Sequence, residues 1–254
     1  MTLAIGSRRR TLSRLVVESS VIALPPLLGG QAESWSALVE LAPAFGSNWL
    51  LVGGQMVFLH EVERKATEVR PTDDVDVVVD LRAEPVGLER IHSTLVNAGF
   101  AQDSPGPEGT AHRYRRQAAI IDVLAPDNVG RRTRLRLGTG RTIEVPGTTQ
   151  AFGRSGVVVV EVDGVTGQIR RPDIVGALLG KAAAVTKISS QSAASREKHL
   201  RDFDSLARLL GVADRERAGL TRSERRTIIA LTEAPGLSEL AVASLRLLVV
   251  EEPS

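Results

Sequence analysis

WLLVGGQMVFLHEVERKATEVRPTDDVDVVVDL, Trp49 to Leu81, decides how this chain is read. Its last third packs four acids, Asp73, Asp74, Asp76 and Asp80, into eight residues rich in valine. The spacing predicts a strand over Val75–Val79. Alternate residues of a strand share a face, so Asp74 and Asp76 project side by side while Val75, Val77 and Val79 line the other face. Two adjacent carboxylates repel, and taking them out of water is costly. A divalent cation between them removes both problems, and hard oxygen ligands of this kind suit Mg²⁺. The competing reading is a sheet with one solvated face that tolerates Asp, although strands otherwise disfavour it. Asp73 points the other way and Asp80 lies at the far end, so both read as solvated or capping residues.

Upstream, the apolar strand Asn48–Val52 stops at Gly53-Gly54, and Gln55–Glu63 opens as a helix. A glycine pair between a strand and a helix lets backbone approach a phosphate, which helix-terminal N–H groups can bind. Downstream, Glu84–Ala98 is an amphipathic helix closed by Gly99, followed by a Pro/Gly-rich loop from Phe100 to Thr110. Ala118–Leu124, AAIIDVL, is a third strand, and Asp122 sits inside it between Ile121 and Val123. Placed beside the Asp74–Asp76 strand, Asp122 completes a group of three carboxylates of the sort that supports metal-assisted phosphoryl transfer.

The rest of the chain gives these features their setting. A length of 254 residues allows one large domain or two small ones, and 43% hydrophobic residues mark a globular chain. Aromatics are only 3%, so the core is built from aliphatic side chains. No cysteine is present, which excludes disulfides, thiolate metal sites and cysteine nucleophiles and fits a cytoplasmic location. No apolar run reaches the ~20 residues that a membrane span needs. The start, SRRRTLSRLVVESSVIALPPLLGG, is expected to be a short helix and a Pro-Gly turn rather than a twin-arginine export signal, because Glu18, Pro25 and Pro26 interrupt it. Further strands are expected at Thr142–Val145 and Val157–Val162, the latter ending in an Asp163-Gly164 turn. Helices follow at Ser34–Leu41, Asp173–Thr186, Ser195–Leu210, Ser223–Thr232 and Leu237–Val249. The outline is an α/β (α+β) part over residues 1–171, a mixed sheet flanked by helices, and a helical part over 172–254. Net charge is only +2, but eight arginines and two acids lie between Arg113 and Arg141. Such a run either grips a polyanion or is a solvated surface.

VGGQMVFLHE, then RPTDDVD, then IDVL, together resemble the nucleotidyltransferase superfamily with the polymerase-β-like palm. The form GGQ-x-V followed by R-x-T-x-D-x-D is similar to the AbiEii/AbiGii toxin type, which includes the MenT toxins. The likeness covers roughly Trp49 to Leu210. It implies that Gly53, Gly54 and Gln55 hold a triphosphate and that Arg70 and Thr72 support the acidic strand. Asp74 and Asp76 would bind metal, with Asp122 as third carboxylate beside the attacking group. Lys181, in RRPDIVGALLGKAAA, would contact nucleotide phosphates, and Asp202, in REKHLRDFDSL, would orient it or the nucleotide. Lys198 belongs to the same helical motif. Without the resemblance, Lys181 reads equally as a snorkelling surface lysine and Lys198–Asp202 as an exposed i,i+4 pair. Two departures stand out. The turn carries no serine hydroxyl, and His199 follows Lys198 where the family often has aspartate. His60 and His112 are not needed by a carboxylate site.

The expectation is therefore a nucleotidyltransferase dependent on Mg²⁺ or Mn²⁺ that moves a nucleoside monophosphate from an NTP to an acceptor hydroxyl. The resemblance implies a toxin with a cognate antitoxin partner, whose acceptor is either the 3′ end of tRNA or a protein side chain; no membrane partner is expected. The Arg113–Arg141 run leans toward tRNA, because a basic stripe near the site would grip phosphates. Alternatives are a toxin that modifies protein side chains, a small-molecule (antibiotic) nucleotidyltransferase, and a non-catalytic nucleotide- or RNA-binding module.

Overall fold

The computed structural model describes residues 21–69, 72–130, 133, 135–188 and 192–250. Most of the expected N-terminal helix, up to Ser20, and Arg70 lie outside them. In chain order the elements are β1 (Ile22–Ala23), α1 (Gly29–Leu41), β2 (Trp49–Val52), α2 (Gly53–Glu63), β3 (Asp74–Val79), α3 (Gly87–Asn97), β4 (Ala101–Gln102), β5 (Arg113–Arg116) and β6 (Ala119–Pro126). They continue as β7 (Arg136–Leu137), β8 (Gly140–Arg141), β9 (Glu144–Val145), α4 (Thr148–Gly153), β10 (Ser155–Val162), β11 (Val165–Pro172), α5 (Ile174–Lys187), α6 (Ala193–Arg208), α7 (Val212–Glu216), α8 (Arg222–Thr232) and α9 (Glu239–Val249). The chain is thus an α/β protein with mixed sheets flanked by helices and a C-terminal helical region. Among the described residues no helix is long and apolar enough to cross a membrane.

The main sheet runs β2-β3-β6-β5-β4, with β9 also paired to β6. β2 is antiparallel to β3, β3 parallel to β6, and β6 antiparallel to β5. Helix α3 lies in the crossover between the parallel pair. A second sheet consists of β1, β10 and β11, the last two forming a hairpin. Its turn residues Asp163 and Gly164 both have positive φ, 48° and 80°, the geometry of a type I′ turn, which fits the expected Asp-Gly signal.

Both faces of the main sheet are covered. Val75, Val77 and Val79 face the main core, which runs without a break from Ile22 to Leu248 and so includes the C-terminal helices. On the other face the carboxylates give way to Val78, packed with Leu50, Val52, Leu124 and Ala151 in a smaller apolar cluster. The strand therefore does not simply expose its acidic face to water.

Several elements differ from the sequence expectation. Helix α1 starts at Gly29, not Ser34, and α3 at Gly87, not Glu84. The residue before a proline is disfavoured in helical conformation, so Pro85 displaces Glu84 from the start of α3. β5 is a strand although RYRR carries three arginines; only Tyr114 is fully buried, between neighbours that reach acids. β11 and α4 were not foreseen: VTGQIRRP is too polar, and TTQAFG too short, to show a period. β9 keeps only the last two residues of the expected Thr142–Val145 strand. The helical half fared better because its starts carry caps. The side chains of Asp173, Ser192, Thr221 and Ser238 accept from the N–H groups of Gly176, Ser195, Glu224 and Ala241.

Candidate active site

Strand register builds the site. Val52 of β2 pairs with Asp76 of β3, Asp76 with Asp122 of β6, and Asp122 with Arg113 of β5. Directly paired residues share a face, so one row across four strands reads Val, Asp, Asp, Arg. Asp74 lies one pleat away on the same face, beside Ile120. The three carboxylates named from sequence are thus brought together.

Arg113, which sequence reasoning treated only as one of a basic run, lies among them. Its Nε and Nη2 donate to Asp122 Oδ1 and Oδ2 at 2.8 and 2.7 Å, and Nη2 also donates to Asp74 Oδ2 at 3.2 Å. The Thr72 hydroxyl donates to Asp74 Oδ1 at 2.7 Å, the supporting contact expected of it. Asp76 accepts no hydrogen bond from the described side chains. Burial, then the charges of Asp74 and Asp122, push its carboxyl up to about 7. Burial would raise Asp74 too, but the Thr72 hydroxyl, Lys198 and Arg113 outweigh it and hold Asp74 below the usual carboxylate range.

The glycine pair has a steric reason to be glycine. Gly53 has φ +69°, and a Cβ there would stand 1.7 Å from Asp76 Oδ2. A Cβ on Gly54 would stand 2.9 Å from the Thr72 side chain. The first turn of α2 is therefore pressed against the acidic strand, and its cap residue, Val52, has no side-chain acceptor for the leading N–H groups. Gln55 does not join them, which corrects the expectation that it reaches a phosphate. Its amide is fully buried. The oxygen accepts from Trp35 Nε1 at 2.6 Å and from Gln31, and the NH₂ donates to the Thr72 carbonyl. Gln55 ties α1 and α2 to the acidic strand from behind.

A cleft of about 250 Å³ opens on the row. Gly53, Asp76, Asp122 and Lys181 line it together with apolar Leu124, Ile143, Val145 and Ile188. Lys181 of α5 is buried, and its Nζ donates to Asp202 Oδ2 of α6 at 2.7 Å. The snorkelling and exposed-pair readings of these residues are thereby set aside; Asp202 pairs with Lys181 from across two helices, not with Lys198 on its own. Lys198 is half-buried and close enough to favour the ionised forms of Asp74 and Asp76. His112 also lines the cleft, and its buried Nδ1 has no hydrogen-bond partner among the described residues. His60 faces elsewhere, held between Arg171 and the Pro172 carbonyl.

Among the described residues no three His, Asp or Glu side chains form a ready metal cage. The donor set still fits a hard divalent cation: three carboxylates stand together, Arg113 bonds only two of them, and burial beside the other two pushes the Asp76 carboxyl up to about 7. The Arg run is partly engaged in ion pairs at the protein's own surface. Arg115 pairs with Asp103, and Arg116 with Glu40 while lying 4.7 Å over the Phe100 ring. Arg131, Arg132 and Arg134 lie outside the described residues. No protein-family profile, curated protein or solved structure matches the chain.

Proposed function

We propose that this chain is a metal-dependent nucleotidyltransferase with a polymerase-β-like palm, of the AbiEii toxin type. The observation that carries the reading is the in-register pair Asp76–Asp122 on parallel strands, with Asp74 beside it, facing a cleft at the uncapped start of α2. Asp74, Asp76 and Asp122 would hold Mg²⁺ or Mn²⁺, which when bound supplies Lewis-acid polarisation of phosphate oxygens. The leading N–H groups of α2 offer donors to the triphosphate, as helix N-termini do. Lys181, kept in one position by Asp202, adds a fixed positive charge. The aliphatic side chains of Leu124, Ile143, Val145 and Ile188 form the rest of the cleft wall. In the reaction the acceptor oxygen attacks the α-phosphorus of the NTP, its proton passing to a carboxylate that we assign to Asp122. The bond from the α-phosphorus to the bridging oxygen breaks, and pyrophosphate leaves with the electron pair.

For the acceptor we propose the 3′ hydroxyl of tRNA, with a cognate antitoxin as protein partner. The support is the resemblance together with the part of the basic run not tied to internal acids, of which Arg136 and Arg141 are described. The test is incubation with each α-³²P-labelled NTP, Mg²⁺ or Mn²⁺, and either total tRNA or cell protein. Label is expected on tRNA, falling at least about a hundredfold in Asp76→Ala. Unchanged labelling by that variant would sink the site assignment, and label on protein alone would replace the acceptor.

A further inference from the structure

We propose that Arg113 is a latch on the metal site: it occupies the place of a cation between Asp122 and Asp74, and a divalent metal must compete with it for their oxygens. The inference rests on the nucleotidyltransferase reading. Arginine's planar fork matches both oxygens of a carboxylate at once, and here it takes Oδ1 and Oδ2 of Asp122 together with Oδ2 of Asp74. Thr72 takes the remaining oxygen of Asp74. Of the three carboxylates, only Asp76 receives no hydrogen bond from the described side chains. A metal drawing on all three must therefore pull Asp122 or Asp74 away from the guanidinium, or share those oxygens with a full positive charge that repels it.

The latch is built in by register. Arg113 stands directly opposite Asp122 in the β5–β6 ladder, so the contact needs no loop rearrangement to form. It is also easy to leave. The Arg113 side chain is about one-third exposed, with relative accessibility of 32%, whereas that of Asp122 is 6%. The acid is fixed and the base can swing out. This differs from Lys181–Asp202, where both partners are buried, at 6% and 2%. Arg113 is thus a positioning residue. It keeps the carboxylates converged and partly neutralised without metal, and it weakens metal binding as the consequence.

The test is Mn²⁺ titration of the full chain, read by the loss of the free-ion EPR signal, with circular dichroism to check folding. Arg113→Ala is expected to bind Mn²⁺ about tenfold more tightly than the unsubstituted chain, a charge-assisted hydrogen-bonded competitor having been removed. Arg113→Lys keeps the charge but loses the fork, and is expected to fall between the two. It also serves if the alanine variant does not fold. Equal or weaker Mn²⁺ binding by folded Arg113→Ala overturns the latch, and so does an Arg113→Lys protein indistinguishable from the unsubstituted chain. If the unsubstituted chain binds Mn²⁺ and labels an acceptor while the variants bind no tighter, the latch alone falls. If none of the proteins binds Mn²⁺, the latch and the proposed function fall together.

Discussion

The two ends of helix α2 carry clusters of charge that are balanced in opposite ways. At its C-terminal end, each arginine is matched to one acid. Arg64 grips both oxygens of Asp214 at 2.5 and 2.9 Å, Arg171 pairs with Glu63, and Glu61 accepts from the Ser205 hydroxyl at 2.5 Å. At its N-terminal end Arg113 bonds two of three carboxylates, Asp122 and Asp74, the half-buried Lys198 adds a nearby charge, and Lys181 is already paired with Asp202. The helix dipole favours this arrangement, anions by the start and cations by the end, but it does not explain the imbalance. Matched charges fix the C-terminal helices to the sheet. Carboxylates left short of a partner store a demand for a cation, which is what a binding site has and a structural joint lacks.

The strongest way to break the comparison is at Lys181–Asp202, a joint whose lysine lines the cleft. Asp202→Ala leaves a buried lysine charge without its partner and is expected to lose about 3–5 kcal/mol in urea unfolding. Replacing both, as Lys181→Met with Asp202→Leu, should recover most of that stability, since apolar pairs often substitute for buried ion pairs. Nucleotide transfer should stay absent in the double variant. Recovery of activity along with stability would mean that the pair is a joint only, with no part in the site.

Next in size is the contact of the α2 start with Asp76. Gly53→Ala places a Cβ onto the carboxylate and forces alanine to a positive φ of 69°. The expected loss is about 1–3 kcal/mol. Gly153 in α4 offers the contrast: a Cβ there meets nothing within 4 Å. Gly153→Ala should be neutral or stabilise by up to about 1 kcal/mol. Thermal unfolding of the two variants separates them, and equal melting temperatures would show that the close approach of α2 to the acidic strand is absent in solution.

How much of this was legible depended on whether a signal was local. The acidic strand could be read because period two in DVDVVV shows which side chains share a face. Helices α5, α6, α8 and α9 could be read as helices, but only α5 at its cap, Asp173; Ser192, Thr221 and Ser238 cap the other three away from the starts expected at Ser195, Ser223 and Leu237. Asp122 was visible as an acid inside an apolar strand, but its distance from Asp76 was not, because strand order is a tertiary property. Arg113 was misread for the same reason. RYRR looks like surface charge until β5 is laid against β6, and only then does Arg113 fall opposite Asp122. Gln55 misled in the other direction. The resemblance makes it a phosphate ligand, yet α1 packs over it and Trp35 uses its oxygen.

The smallest expected effect tests the matched end of α2 through pH. His60 is buried, and burial first, then the positive charges of Arg171 and Arg64, lower its pKa well below the ordinary 6.5. It therefore stays neutral, accepting from Arg171 and donating from Nε2 to the Pro172 carbonyl at 3.2 Å. In the unfolded chain His60 takes up a proton below about pH 6.5. Its contribution is then complete above that pH and declines by about 1.4 kcal/mol per unit as pH falls below it, because the unfolded state binds more protons. Asp76, raised to about 7, pulls the other way in the same window. The measurement is accordingly a difference between two proteins, each unfolded in urea at pH 7.5 and pH 5.5 with EDTA present. His60→Gln can still accept from Arg171 and donate to Pro172 but does not titrate. The stability advantage of the unsubstituted chain over this variant should shrink by about 1.4 kcal/mol at the lower pH. An advantage that stays constant would mean that His60 is protonated in the folded protein and that the charges at this end of α2 are not matched one to one.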